Sequence, residues 1–358
     1  MNLKVLEECE RRGHEQVVFF NYPQVGLKAI IGIHNTVLGP GLGGCRMRLY
    51  HDESQAVEDV LRLSEGMTYK SSIAGLDLGG GKSCIIADPD MVDGRPELFE
   101  QFGKCLESLH GRYITAEDMG TSVQDVSYMR RHTGFAAGYS QDEGGAGDPS
   151  PWTAYGVYQS IVAACERRFN SKDLTDRHIT VQGVGHVGIY LVERLAKAGA
   201  RVTVCDTSER ALQRASQEFS ATVVDKEAIY DVECDVYAPC AIGQTVNATT
   251  IQRLRCKIIA GAANNQLSSP EVYELLDERG ILYCPDFVIN SGGVISVGAE
   301  LIEGGWQENW VSDKVKNIYH VIHRVLDESE KRKKFPEIVA IELAKERIRE
   351  KEAASKNN

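Results

Sequence analysis

The sequence predicts an α/β chain in two domains, a mixed-sheet first domain and a doubly wound parallel second one. Three observations carry this. The chain has 358 residues, 42% of them hydrophobic, enough for two cores. A polar, Gly-rich stretch without periodicity, QDEGGAGDPS at 141–150, interrupts it. Beyond that stretch, short β-branched runs alternate with amphipathic segments, the pattern of a parallel sheet covered by helices. Domain boundaries are therefore expected at 1–140, 141–312 and 313–358, the last being helices that return towards the first domain.

The first elements follow from local patterning. Residues 16–20 (QVVFF) and 27–37 are β-rich, and Asn21, Pro23 and Gly26 between them predict a hairpin. Ser54 is a candidate N-cap for a helix with Val57, Val60, Leu61 and Ser64 at helical spacing. Residues 83–87 read as a strand, and Pro96 suits the first turn of a helix carrying Phe99, Phe102, Leu106 and Leu109. Residues 112–115 form another strand, ending at Asp118. In the second half, strands are predicted at 178–182, 201–205, 236–238, 257–260 and 281–283, with helices through Leu195 and from Ser208. From Ser312 onward the chain is helical, with Val315, Ile318, Ile322, Val325 and Leu326 on one face; the charged tail after Arg349 is expected to fray.

Composition excludes several classes. Forty Lys+Arg against 51 Asp+Glu give a net charge of −11, which opposes nucleic-acid or anionic-membrane binding. No apolar run approaches the ~20 residues of a membrane helix. The N-terminus carries Glu7 and Glu8 where a signal peptide would be apolar. The ten cysteines are scattered without a C-x-x-C pair, so no metal site is expected, and reduced thiols in the cytoplasm are the expectation.

The strongest single motif is Gly183, Val184, Gly185, His186, Val187, Gly188, a G-x-G-x-x-G. It follows a β-branched strand and opens an amphipathic helix, and Asp206, with Thr207 after it, ends a second strand about 20 residues on. Gly183 permits the tight turn, Gly185 lets a pyrophosphate reach the backbone, and Gly188 allows close helix–strand packing. The helix N-terminus presents amides and partial positive charge to phosphates. Asp206 is placed for ribose hydroxyls and would repel a 2′-phosphate, so NAD is expected over NADP.

Two lysines sit in unusual glycine settings. Lys70 ends GMTYK (66–70), and Lys82 follows Gly79, Gly80 and Gly81. Three glycines before a strand are expensive to order and suggest a backbone approached by a ligand or cofactor. The phosphate-loop pattern fails on register: it needs glycine where Leu76 stands. Either lysine alone reads equally as a solvated cation. Asp118 alone reads first as the N-cap of a following helix.

Taken together, the motifs resemble one family. GPGLGGCRM (39–47), GMTYK (66–70), GGGK (79–82), TAEDMG (115–120), the Rossmann turn, GAANNQL (261–267) and VINSGGV (288–294) are similar, in the same order, to the glutamate/leucine/phenylalanine/valine dehydrogenases, and most to the leucine-type branch. The resemblance implies a Rossmann NAD-binding domain beside an oligomerisation and substrate domain, with the active site in the cleft. It implies reversible oxidative deamination of an L-amino acid to a 2-oxo acid and ammonia, in a homo-oligomer, dimeric or octameric.

The resemblance also assigns residues. Lys82 and Asp118 would be catalytic, with Asp118 shuttling protons. Lys70, helped by Asn265, would bind the substrate carboxylate, and Gly43, Gly44 and Met67 would border the substrate. Leu42, Ala116, Val294 and Val297 would line its side-chain pocket. Thr153, Cys240, Ala241, Ala262, Ala263, Asn264 and Asn290 would border the cofactor. A lysine beside another cation and partly desolvated can serve as a base near neutral pH. Ala116 points to branched-chain aliphatic substrates, whereas GGCR (43–46) leans towards the phenylalanine type, leaving phenylalanine or tryptophan as the alternative. Trp152, Trp306 and Trp310 depart from the family pattern, either as pocket or as packing residues. A non-catalytic NAD-binding sensor is the reading from another class; the intact Lys70, Lys82 and Asp118 oppose it.

Overall fold

The computed structural model describes residues 4–356. Met1–Leu3 and the last two residues, the ends of the acidic N-terminal segment and of the charged tail, lie outside the described residues. The chain divides into two compact units. One runs to Asp148 and includes Val294–Glu308 and the chain from Ala344; the other comprises Pro149–Gly293 and Asn309–Leu343. The division thus falls at 148, where composition suggests 140.

The first unit opens with α1 (Val5–Arg12), β1 (Gln16–Tyr22), β2 (Leu27–Asn35) and β3 (Gly41–Arg48). There follow α2 (Glu53–Ile73), β4 (Gly79–Ile86), α3 (Arg95–Glu107), β5 (Tyr113–Glu117) and α4 (Val123–Arg130). The five strands form one sheet in the order β1-β2-β4-β3-β5. β1 and β2 are the expected hairpin, antiparallel from Gln16↔Ile33 to Tyr22↔Leu27. β2 and β4 are antiparallel, and β3 is parallel to both β4 and β5.

Period-2 alternation sends the two faces of β2 into different cores. Ile30 joins Ala56, Val57, Val60 and Leu61 of α2. Ala29, Ile31 and Ile33 join Phe99, Phe102 and Leu106 of α3 and Met129 of α4. Helices therefore cover both faces of the sheet.

Four local expectations change. Asp52, not Ser54, caps α2 by accepting the Gln55 amide; its carboxylate reaches the amide three residues on. Ser122 caps α4 in a reciprocal box with Asp125, which frees Asp118 from the capping role. The strand at 83–87 begins earlier, at Gly79. The tail is helical, as α14 (Pro336–Lys356). Arg347 donates to the Ser72 and Leu76 carbonyls and to Asp77, so this helix closes the C-terminal end of α2.

The glycine run serves packing within the protein. A Cβ at Gly79 would lie 2.0 Å from the Asn35 oxygen, at Gly80 2.1 Å from the Thr68 nitrogen, and at Gly81 2.4 Å from the Tyr113 ring. The space beside these glycines is filled by the backbone at Asn35 and Gly39, by helix α2 and by the Tyr113 ring, not left open for a ligand.

The second unit contains α5 (Ser150–Phe169), β6 (His178–Gln182), α6 (His186–Lys197), β7 (Arg201–Cys205), α7 (Glu209–Phe219) and β8 (Thr222–Val223). It continues through β9 (Val236–Pro239), α8 (Thr250–Arg253), β10 (Ile258–Ile259), α9 (Val272–Glu278), β11 (Leu282–Tyr283) and α10 (Asp286–Ile289). The chain then runs through α11 (Gly292–Gly298), α12 (Glu308–Lys316) and α13 (Ile318–Arg332). The six strands are parallel in the order β8-β7-β6-β9-β10-β11. This is the doubly wound order of dinucleotide-binding folds, and it reverses between β6 and β9. No helix among the described residues is long and apolar enough to cross a membrane.

Candidate active site

Two constellations emerge, one in each unit. In the first, β4 carries Lys82, β3 carries Arg46, and the end of β5 carries Asp118. Lys82 Nζ lies 2.7 Å from Asp118 Oδ2, and Arg46 Nε lies 3.1 Å from the same oxygen. The Lys82 side chain is 8% exposed and that of Asp118 26%. The pair is thus largely desolvated, with the carboxylate at the accessible end. Burial pushes the Asp118 carboxyl upward, but Lys82 and Arg46 outweigh it and hold the group well below the usual carboxylate range. The Thr121 hydroxyl accepts the Asp118 amide and donates to the Cys45 carbonyl, which fixes the backbone that carries the carboxylate.

Glycines let this cluster form. A Cβ at Gly44 would lie 2.7 Å from that of Asp118, and one at Gly43 1.9 Å from the Gly81 oxygen and 3.2 Å from Met67 Cγ. Gly43, Gly44, Met67, Lys82 and Asp118 are therefore neighbours. Lys70 stands three residues after Met67 on α2, a spacing that shares a helix face; its side chain is half-buried.

Leu42, Ala116 and Val297 are buried in the same unit. A Cβ at Gly138 would lie 3.9 Å from both Ala116 Cβ and Val297 Cγ2, and one at Gly298 3.9 Å from Leu42 Cδ2. These apolar side chains thus converge around two glycines. Val294 is half-buried at the start of the same returning segment. Trp306 donates to Ser296 Oγ beside Val297, a packing role. Trp310 and Trp152, in the other unit, lie against the Lys314 ammonium and Tyr155.

In the second unit, the fingerprint follows β6 where the strand order reverses. Gly183 has φ +95°, and its Cβ would lie 2.7 Å from that of Ala241, so the turn after β6 touches the turn after β9. A Cβ at Gly188 would lie 2.0 Å from the Gly183 oxygen, the predicted close packing. Gly185, by contrast, has nothing within 4 Å, and Gly185 and His186 are exposed at the start of α6, followed by half-buried Val187. Asp206 accepts the Val184 amide at 2.7 Å and the Ser208 amide at 2.8 Å. Its carboxylate is thereby held at the fingerprint turn, next to exposed Thr207.

Around this turn, Cys240 Sγ accepts the Ala262 amide. Asn290 donates to the Ala262 carbonyl and to Asn264 Oδ1, while its own Oδ1 is buried without a partner. Thr153 Oγ1 lies in the first turn of α5, where a Cβ at Gly293 would approach it to 2.6 Å. Ala263 is buried, and Asn264 and Asn265 are exposed, Asn265 with φ +52°. An open glycine cradle at a helix start, a fixed carboxylate beside it and an orphaned amide oxygen fit a dinucleotide.

Sequence reasoning passed over Arg46 and Asp59, which tie into the Lys82–Asp118 pair. Arg46 stands inside GPGLGGCRM, so the motif held the signal. It also passed over Glu300, whose carboxylate accepts the Gly138 and Ala146 amides. A single acid in an apolar segment carries no pattern.

Two family models match successive parts of the chain. The family model for the Glu/Leu/Phe/Val dehydrogenase dimerisation domain matches residues 14–134. That for glutamate/leucine/phenylalanine/valine dehydrogenase matches 144–216 and 207–355. The leucine dehydrogenase of Bacillus cereus is 47% identical, over 97% of this chain and 94% of its own. The phenylalanine dehydrogenase of Lysinibacillus sphaericus is 44% identical, over 88% and 84%. The crystal structure of L-tryptophan dehydrogenase from Nostoc punctiforme superposes with a TM-score of 0.85 at 37% identity, covering 97% of this chain and 99% of that one.

Proposed function

The chain belongs to the glutamate/leucine/phenylalanine/valine dehydrogenase family and is an amino-acid dehydrogenase with a nicotinamide cofactor; from this we propose that it deaminates branched-chain L-amino acids with NAD. The observation that carries the reading is the largely desolvated Lys82–Asp118 pair in the unit whose Leu42, Ala116 and Val297 converge.

Each residue has a task set by its chemistry. The Lys70 ammonium holds the substrate carboxylate, which fixes the rest of the molecule. With the Gly183 and Val184 amides held by Cys205 and Asp206, the amides at 185–187 would take the pyrophosphate, Asp206 would take the ribose hydroxyls, and Thr153, Asn290 and the 240–241 and 262–264 segments would border the nicotinamide end. Bound there, NAD supplies the hydride acceptor. Loss of hydride from Cα leaves an iminium carbon that water must attack. Neutral Lys82 takes one proton of that water, and the Asp118 carboxylate relays it from Lys82 to the amine nitrogen; the adduct's hydroxyl proton passes back to Lys82 as the C–N bond breaks. The oxygen of water becomes the carbonyl of the 2-oxo acid, and nitrogen departs as ammonia.

Ala116 keeps the apolar site small, which supports aliphatic substrates. One methylene changes binding by only about 1–3 kcal/mol, so aromatic amino acids are the second reading, favoured by the likeness to the tryptophan dehydrogenase. The family's dimerisation domain supports a homo-oligomer. The ten free thiols suit a reducing cytoplasm. A panel of the twenty L-amino acids, each with NAD and with NADP, tests this. Turnover greatest with leucine, valine and isoleucine on NAD is expected; turnover only with aromatics would overturn the substrate, and none with any would overturn the enzyme.

A further inference from the structure

Arg46 is built into the catalytic cluster from the far side. Its Nε reaches Asp118 Oδ2 at 3.1 Å, the oxygen that also meets Lys82. Its other end, NH1, reaches Asp59 Oδ2 at 3.0 Å. Asp59 in turn accepts from the Tyr50 hydroxyl and from Arg62. The Arg46 and Asp59 side chains are each 16% exposed. A planar guanidinium is thus fixed between two carboxylates, one of them in the reacting pair.

The two cations on Asp118 differ in kind. An ammonium can surrender its proton; a guanidinium in a protein does not. On the mechanism above, Lys82 is neutral when it accepts a proton from water. At that moment Arg46 is the charge left on the carboxylate. We propose that Arg46 is the positioning residue of the Lys82–Asp118 pair: a permanent cation that stays on Asp118 and sets how tightly the pair holds its shared proton. Arg46 acts through Asp118. The inference rests on the assigned roles of Lys82 and Asp118.

The other groups facing Asp118 do not substitute for it. Cys45 and Tyr113 are its buried neighbours; burial pushes the thiol up to about 12 and the phenol higher still, so both stay neutral. Burial raises Asp59, but Arg46, Arg62 and Tyr50 outweigh that and keep it an anion. Among the described residues, the cation that contacts the Asp118 carboxylate beside Lys82 is Arg46, with Asp59 behind it.

The test is the pH profile of kcat/KM, whose rising limb reports the pair in the free enzyme. Removing the cation in Arg46→Gln lets the pair hold its proton more tightly and moves the limb up by about one unit. Removing the anion in Asp59→Asn moves it down. Arg46→Lys, which keeps the charge but not the fork, leaves the limb near that of the parent while kcat falls. A purely structural Arg46 predicts lower kcat in all three with an unmoved limb, and that result overturns the inference. Should Arg46→Gln not fold, the downward shift of Asp59→Asn carries the test alone. Asp118→Asn, assayed alongside, separates the two claims: full activity there overturns the assigned roles, whereas inactivity with unmoved limbs overturns only the part given to Arg46.

Discussion

Lys82 and Asp118 meet at 2.7 Å although they come from different strands, Lys82 from β4 and Asp118 from the end of β5. Between β4 and β5 lies β3, whose Gly43 and Gly44 carry no side chain to separate them. The pair is a product of sheet order: two positions 36 apart in sequence face one another across a strand thinned by glycine.

Lys70 gives the first prediction. If its ammonium holds the substrate carboxylate, Lys70→Ala raises KM for the amino acid by about 100-fold, the ~3 kcal/mol of a lost charge-assisted contact, and leaves KM for NAD within about twofold. An unchanged amino-acid KM in steady-state kinetics excludes the role.

The glycines of β4 are structural, and two alanine variants separate that from a ligand role. Gly80→Ala puts a methyl 2.1 Å from the Thr68 nitrogen and should cost about 1–3 kcal/mol or more. Gly66→Ala, in the middle of α2 with nothing within 4 Å, should gain about 0.5–1 kcal/mol. Urea unfolding of the two reads both signs; equal stability would contradict the packing account.

Much of this was legible in advance where one residue type has one physical meaning. The hairpin, the parallel strands and the fingerprint followed from β-branched runs, turn residues and glycine spacing. The lysines and Asp118 gained meaning only from the collinear resemblance, since each alone reads as surface charge or cap. The 79–81 glycines were misread because sequence shows that a backbone is approached closely, not by what. Arg46 and Glu300 stayed hidden because their roles depend on partners 72 and 162 positions away, which no local pattern encodes.

Asp206 gives a cofactor prediction. Its carboxylate, fixed by the Val184 and Ser208 amides, opposes a 2′-phosphate. Asp206→Ser keeps an acceptor for those amides and removes the charge. The ratio of kcat/KM for NADP to that for NAD should rise about tenfold or more, as one like-charge repulsion is lifted. A ratio that does not move would place discrimination elsewhere.

Glu337 predicts a pH dependence of stability. Burial and the nearby Asp286 carboxylate push it up to about 7, against the opposing Tyr273 and Tyr283 hydroxyls. A carboxyl raised in the folded state stabilises while it keeps its proton. Its contribution is complete below the ordinary value of 4.5 and lost as pH rises through about 7. Glu337→Gln cannot ionise. Between pH 5 and 8 its stability relative to the parent should rise by on the order of 2 kcal/mol, measured by urea unfolding at each pH. Parallel curves would show that Glu337 does not titrate in this window.

The most direct test of the account is turnover and cofactor binding measured together in Lys82→Ala. Leucine-dependent NADH formation should fall by at least about a thousandfold, within the range of a lost general base. NAD should bind within about threefold of the parent, because the fingerprint, Asp206 and Asn290 are untouched. Turnover within tenfold of the parent would contradict the central claim that the Lys82–Asp118 pair carries the chemistry.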